Sequence, residues 1–362
     1  MNRKSFLKKV GAGAIGLTSL QSIPFQRAKA FQSLTGESQN YAWVSNHNGT
    51  DDELRVRLEL IKNAGLDGIL PSSQYEKWVQ LAEEFELDVH AWFITLQRSG
   101  DEPLIRKHPD WFMVNRNGES SVTSPAYVDY YKWLCPTRPE AQEYILNKVD
   151  EILKISEIKS VHLDYIRYPD VILPIQLQPG YGVVQDKEYP QYDYCFCDAC
   201  RRKYQTLYGD DPILLDNPAE DDTFSQFRYN QVTHLVNQVA MRVHNQGVKL
   251  TAAVFPTPEI ARSLVRQNWP DWNLDAVFPM QYNHFYHKPV RWIGKAVAEG
   301  RRELPATTEM FSGLYVPEMT PIEVSQAYEF AMENGANGIC LFSDHSMTEE
   351  HWAYLSRVMQ KG

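Results

Sequence analysis

Residues 160–169 read Ser160-Val161-His162-Leu163-Asp164-Tyr165-Ile166-Arg167-Tyr168-Pro169. Side chains alternate along a strand, so Val161 and Leu163 share one face while His162 and Asp164 share the other. The apolar face suits packing against helices, and the polar face then points into a barrel. A carboxylate at the C-terminal end of such a strand belongs at the mouth of a (β/α)8 barrel, where active sites lie. Its burial is costly unless it is paired. Arg167 is near enough in sequence to be that partner. Two readings of Asp164 therefore stand: a structural Asp164–Arg167 ion pair, or a carboxylate that works on a ligand.

The same rhythm extends in both directions. Strands are expected at 41–47, 68–71, 87–96, 160–168, 248–256, 274–282, 304–311 and 338–343. Helices are expected at 51–63, 73–85, 138–155, 223–245, 258–267, 290–299, 321–334 and 348–359. Unbroken alternation of this kind predicts a single (β/α)8 TIM barrel rather than a doubly wound sheet. Two connections are too long for ordinary loops. One spans 97–137, after the third strand, and carries the turn pair Asn117-Gly118. The other spans 169–222, after the fourth. Both leave C-terminal strand ends and should form walls of a cleft.

Residues 1–30 read as a signal peptide, leaving 31–362 as the barrel domain. Arg3, Lys4, Lys8 and Lys9 precede a short apolar stretch, and Ala28-Lys29-Ala30 is a small-x-small cleavage site. Asn2-Arg3-Lys4-Ser5-Phe6-Leu7-Lys8 looks like a twin-arginine signal whose second arginine has become lysine. The segment holds six basic residues and no acid, so its removal takes the net charge from −10 to −16. An acidic surface argues against nucleic acid or an anionic membrane as partner. The expectation is a periplasmic or secreted protein without membrane insertion. Twenty Tyr, fifteen Phe and nine Trp suit sugar stacking and a large core equally.

His162-Leu163-Asp164-Tyr165-Ile166-Arg167-Tyr168-Pro169 resembles the fourth-strand signature of the family-10 glycosyl-hydrolase-like barrel proteins. Ala42-Trp43-Val44 resembles that family's first strand, and Val277-Phe278-Pro279-Met280-Gln281-Tyr282 its sixth. His108-Pro109-Asp110-Trp111-Phe112-Met113-Val114 and Asn117-Gly118 resemble its insertion after the third strand, and Trp133-Leu134-Cys135-Pro136 its entry to the third helix. The resemblance covers roughly residues 41–360. It implies a barrel with a glycoside hydrolase role, peptidoglycan-type glycan being a known substrate class.

Glycoside hydrolysis generally needs two carboxyl groups flanking the bond. Asp164 is one candidate, Glu309 near the end of the expected seventh strand the second, and Asp344 past the eighth strand the third. A separation of about 5–5.5 Å would mean retention and roughly 6.5–9.5 Å inversion. Trp43 and Trp92 could stack on a pyranose or pack in the core. His47, His90, Arg167, Tyr168, Gln281, Tyr282 and His284 are further candidates for sugar binding. Met280-Gln281-Tyr282-Asn283 also resembles a chitinase-type pattern, in which the substrate's acetamido group is the nucleophile and a single protein acid suffices.

Five cysteines occur. Cys195, Cys197 and Cys200 cluster as C-x-C-x-x-C, similar to cysteine-rich loops in several barrel glycosidases, some of which hold a structural zinc. Zinc would need a fourth ligand, Cys135 or a histidine. Free or disulfide-bonded thiols are the rival. Either way the cluster should staple a loop, and no cofactor is expected in catalysis. A metal-dependent amidohydrolase would want His-x-His on the first strand, where Ser45-Asn46-His47 stands instead. The sequence thus predicts an exported glycoside hydrolase acting on a bacterial cell-wall or other polysaccharide by carboxylate acid/base chemistry. The alternative is a non-catalytic glycan-binding protein on a degenerate barrel.

Overall fold

The computed structural model describes residues 38–44 and 49–360. The expected leader and His47 lie outside them. Eight parallel strands close into one barrel in sequence order. They are β1 Tyr41–Val44, β2 Gly68–Pro71, β3 Asp88–Ile94, β4 Ser160–Asp164, β5 Lys249–Val254, β6 Ala276–Pro279, β7 Glu309–Tyr315 and β8 Gly338–Phe342. The helices are α1 Asp51–Asn63, α2 Tyr75–Glu83, α3 Glu102–Lys107, α4 Pro139–Ile152, α5 Asp198–Tyr208, α6 Asp222–His244, α7 Pro258–Val265, α8 Trp292–Glu303, α9 Pro321–Glu333 and α10 Glu349–Met359. The fold is the expected (β/α)8 barrel. No helix among the described residues is long and apolar enough to cross a membrane.

Local sequence explains the helix starts. Thr50 and Thr320 each accept from the backbone N–H three residues on, and Glu53 and Glu323 answer reciprocally. Asp221 caps α6 through the N–H of Phe224. Apolar alternation then separates two cores. Val161 and Leu163 join the cluster shared with the helices, together with Val149 and Val239. Trp43, Phe278 and Phe311 fill the barrel interior. Gly313 makes that filling possible, since a Cβ there would meet the Pro279 carbonyl oxygen at 2.8 Å and the Trp43 ring at 3.3 Å.

Several strands are shorter than expected, and two of the differences bear on site residues. β4 stops at Asp164, because Tyr165 takes φ 51° and leaves the extended region. β7 begins at Glu309 rather than near 304. Pro305 lacks an N–H for the ladder of a central strand, and the chain pairs with β8 only from Phe311 to Tyr315.

Both long insertions are present and are bonded to each other. Asn115 bridges Tyr194, and the Phe196 N–H donates to the Val114 carbonyl at 2.8 Å. Tyr127 stacks on Tyr192 with ring centroids 4.4 Å apart. Its hydroxyl donates to the Asp170 carbonyl at 2.8 Å.

Candidate active site

β4 delivers Asp164 to the C-terminal end of the barrel with its carboxyl buried. Trp92 on β3 donates its indole N–H to Oδ2 at 2.9 Å, and the Tyr165 N–H donates to Oδ1 at 2.6 Å. Burial pushes the carboxyl above its ordinary value, against the opposing pull of these two hydrogen bonds and of Arg167. His162, one layer below, is wholly buried. Its Nε2 accepts from Trp43 at 3.3 Å, so Nδ1 carries the proton and donates to Thr251 at 2.8 Å. Burial holds this imidazole neutral.

Aromatic rings surround the carboxyl. Trp92 lies edge-on to Phe342, with centroids 6.3 Å apart, and Phe342 stacks with Tyr315 at 6.1 Å. Tyr282 contacts both Tyr315 and Phe342. Burial and the charge of Asp164 keep the Tyr282 hydroxyl protonated. Trp92, Tyr165, Tyr315 and Phe342 are each partly exposed.

Several expected site residues stand elsewhere. Glu309 opens β7 at the N-terminal end of the barrel and faces Lys249, the first residue of β5, at 3.6 Å. Asp164 closes β4 at the other end, and β4 alone advances roughly 13 Å. The two cannot flank one bond. His90 pairs in register with Ser160, the first residue of β4, and bonds its hydroxyl at 2.7 Å. Burial pushes its pKa down to about 3, so it is neutral core. Trp43 is buried beneath the mouth and serves as its floor. Gln281 accepts from Ser312, which faces the helices between Met310 and Leu314; it lies behind the barrel wall. Tyr168 is buried beside the cysteines rather than in the cleft.

Arg167 does not pair with Asp164. Its guanidinium donates to Asp170 Oδ2 and the Tyr168 carbonyl, both at 2.9 Å, between the Trp133 and Phe255 rings. It is therefore a buried structural group and not a contact for sugar. Asp344 is engaged by two nitrogens of Arg57. His284 sits at the rim, 3.6 Å from Glu318. The mouth thus combines Asp164, Trp92 and Tyr282 from the expected set, with Trp43 beneath and His284 at the rim. It adds Tyr165, Tyr315, Glu318 and Phe342, which sequence reasoning missed. Tyr315 and Phe342 were legible as the inward-facing C-terminal residues of β7 and β8, once those strands were placed correctly.

The cysteine cluster gains its fourth member, since Cys135 joins Cys195, Cys197 and Cys200 with all four sulfurs within 4.8 Å of one another.

Comparison with known proteins follows the same lines. The sequence profile of the family described as Glycosyl hydrolase-like 10 matches residues 72–300. Glycosyl hydrolase YngK of Bacillus subtilis (strain 168) is 34% identical over 116 residues, a match spanning 29% of this chain and 19% of that protein. The fold is similar to the glycoside hydrolase domain of PgaB (BpsB) from Bordetella bronchiseptica, with TM-score 0.62 and 12% identity over 89% of this chain and 99% of that one. It is also similar to the catalytic domain of a β-amylase from Paenibacillus polymyxa, with TM-score 0.61 and 11% identity over 90% and 98% of the two chains.

Proposed function

Because the chain belongs to the glycosyl hydrolase-like 10 family, we propose that it hydrolyses glycosidic bonds of a polysaccharide, with Asp164 as the general acid. One observation carries this reading: a carboxyl at the C-terminal end of β4, buried, biased toward its protonated form and ringed by partly exposed aromatics. The other carboxylates near the mouth are committed. Asp170 is held by Arg167 and Asp344 by Arg57, while Glu318 stands out at the rim against His284.

Among the described residues inside the mouth, Asp164 is the carboxyl without an ion-pair partner, which favours a sugar that brings its own nucleophile. In a 2-acetamido sugar the acetamido oxygen attacks the anomeric carbon as Asp164 passes its proton to the leaving oxygen. Water then opens the cyclic intermediate, returning its proton to Asp164. In this reading the Tyr282 hydroxyl, kept neutral by burial, donates a hydrogen bond to the acetamido group. The substrate we infer is cell-wall-type glycan, met outside the cytoplasm, consistent with the leader-like residues 1–30.

The test is reducing-end release from denuded peptidoglycan and from N-acetylated oligosaccharides, beside their de-N-acetylated counterparts. Cleavage should fall at least ~100-fold without the acetyl group. Equal cleavage of both forms would reject the assisted route. The same commitments of Asp170 and Asp344 favour a second reading, a glycan-binding barrel without catalysis. Binding with no release of reducing ends across the panel would establish it.

A further inference from the structure

Cys135 stands just before α4 in the first insertion, whereas Cys195, Cys197 and Cys200 lie in the second. They are separated by sixty residues of chain and by β4 itself, yet Cys135 Sγ is 3.4 Å from Cys200, 3.6 Å from Cys197 and 3.8 Å from Cys195. These spacings are far beyond the ~2.05 Å of a disulfide. A tetrahedral ion with Zn–S bonds of about 2.3 Å has sulfur–sulfur edges of about 3.8 Å. All four side chains are buried, so the cluster is closed to solvent as a structural site must be. Its surroundings suit the net negative charge of a metal tetrathiolate. Arg138, ion-paired to Asp198, lies beside Cys135 and Cys197. Cys197 is also the N-cap of α5, where helix N–H groups favour anionic sulfur.

We propose that Cys135, Cys195, Cys197 and Cys200 bind one zinc ion that clamps the two insertions together. On binding, four thiols release four protons to solvent and four sulfur–zinc bonds form, with no change of oxidation state. Tetrahedral sulfur sites accept zinc or iron, and the divalent stability order favours zinc. The clamp is independent of the hydrolase reading, since the cysteines lie outside the mouth.

The full chain, purified without chelator from zinc-supplemented cells, is assayed by elemental analysis and zinc-edge X-ray absorption. About one zinc per chain with four sulfur neighbours near 2.3 Å is expected. Cys195→Ser and Cys200→Ser should each lose at least ~10-fold in zinc affinity against a chelating indicator. Cys340→Ala, whose thiol lies within the barrel interior, should retain full occupancy. Folded wild-type protein with under about a tenth of an equivalent of zinc, with iron in its place, or with disulfides among these four cysteines on alkylation mass mapping would overturn the proposal. Because the wild-type measurement decides the matter, a variant that fails to fold does not blur it.

Discussion

Asp164→Asn separates chemistry from folding, because no arginine depends on this carboxyl. Hydrolysis should fall at least ~100-fold, the usual cost of losing a general acid. The melting temperature carries a separate, pH-dependent signal. The folded-state pKa of Asp164 is raised, so its charge burdens only the folded state as pH climbs through that value. The gap between variant and wild type should therefore move in the variant's favour from acid to neutral pH, on top of the fixed cost of turning an amide NH2 toward the Trp92 or Tyr165 N–H. Below the ordinary value of 3.8 the wild-type carboxyl is protonated folded and unfolded alike, and only that fixed cost separates the two. A gap that does not move in the variant's favour as pH climbs from below 3.8 to neutral would contradict this account of the site. The same raised pKa sets the pH profile. An acid must hold its proton, so kcat/KM should decline on an alkaline limb lying above pH 3.8. A limb at or below that value would assign the proton to another group. Asp170→Asn is the contrasting case. It strands the buried Arg167 guanidinium between two rings, and should cost about 3–5 kcal/mol by chemical denaturation.

At the scale of the element, the position of a carboxylate along its strand decides its role. Glu309→Gln alters the opening residue of β7, at the far end of the barrel from Asp164, so activity on any cleaved glycan should stay within about 3-fold of wild type. A ~100-fold loss would restore it as a partner of Asp164. Which face of a strand points inward was legible, since Val161 and Leu163 pack on the helices while His162 and Asp164 do not. Height along the barrel was not. The sequence around 304–311 offers apolar residues on both sides of Pro305, and strand content alone does not say where pairing starts. The ladder settles it by joining β8 only from Phe311, which drops Glu309 to the bottom. His90 was misjudged in the same sense, as a residue near the start of β3. Gln281 differs in kind, since alternation from the inward Phe278 sets residue 281 facing the helices. Arg167 illustrates what sequence neighbourhood cannot resolve, because Asp164 and Asp170 lie three residues to either side of it and only the turn at Tyr165 selects between them.

For the whole molecule, eight repeats of strand and helix place the mouth, and the insertions give it walls. If residues 1–30 act as the leader proposed above, intact-mass measurement of the native protein should find a chain starting near Phe31 in the periplasm or medium. A cytoplasmic chain retaining Met1 would refute export. The walls themselves have a property that matters for anyone altering this barrel. Val114, Asn115 and Tyr127 of the first insertion bond or stack with Phe196, Tyr194 and Tyr192 of the second. Stretches that are distant in the gene therefore answer to one another. A chimera that imports one of them alone from a cousin would leave the other without its hydrogen-bonding edge. Recombination to change what this cleft accepts must transplant both from the same parent.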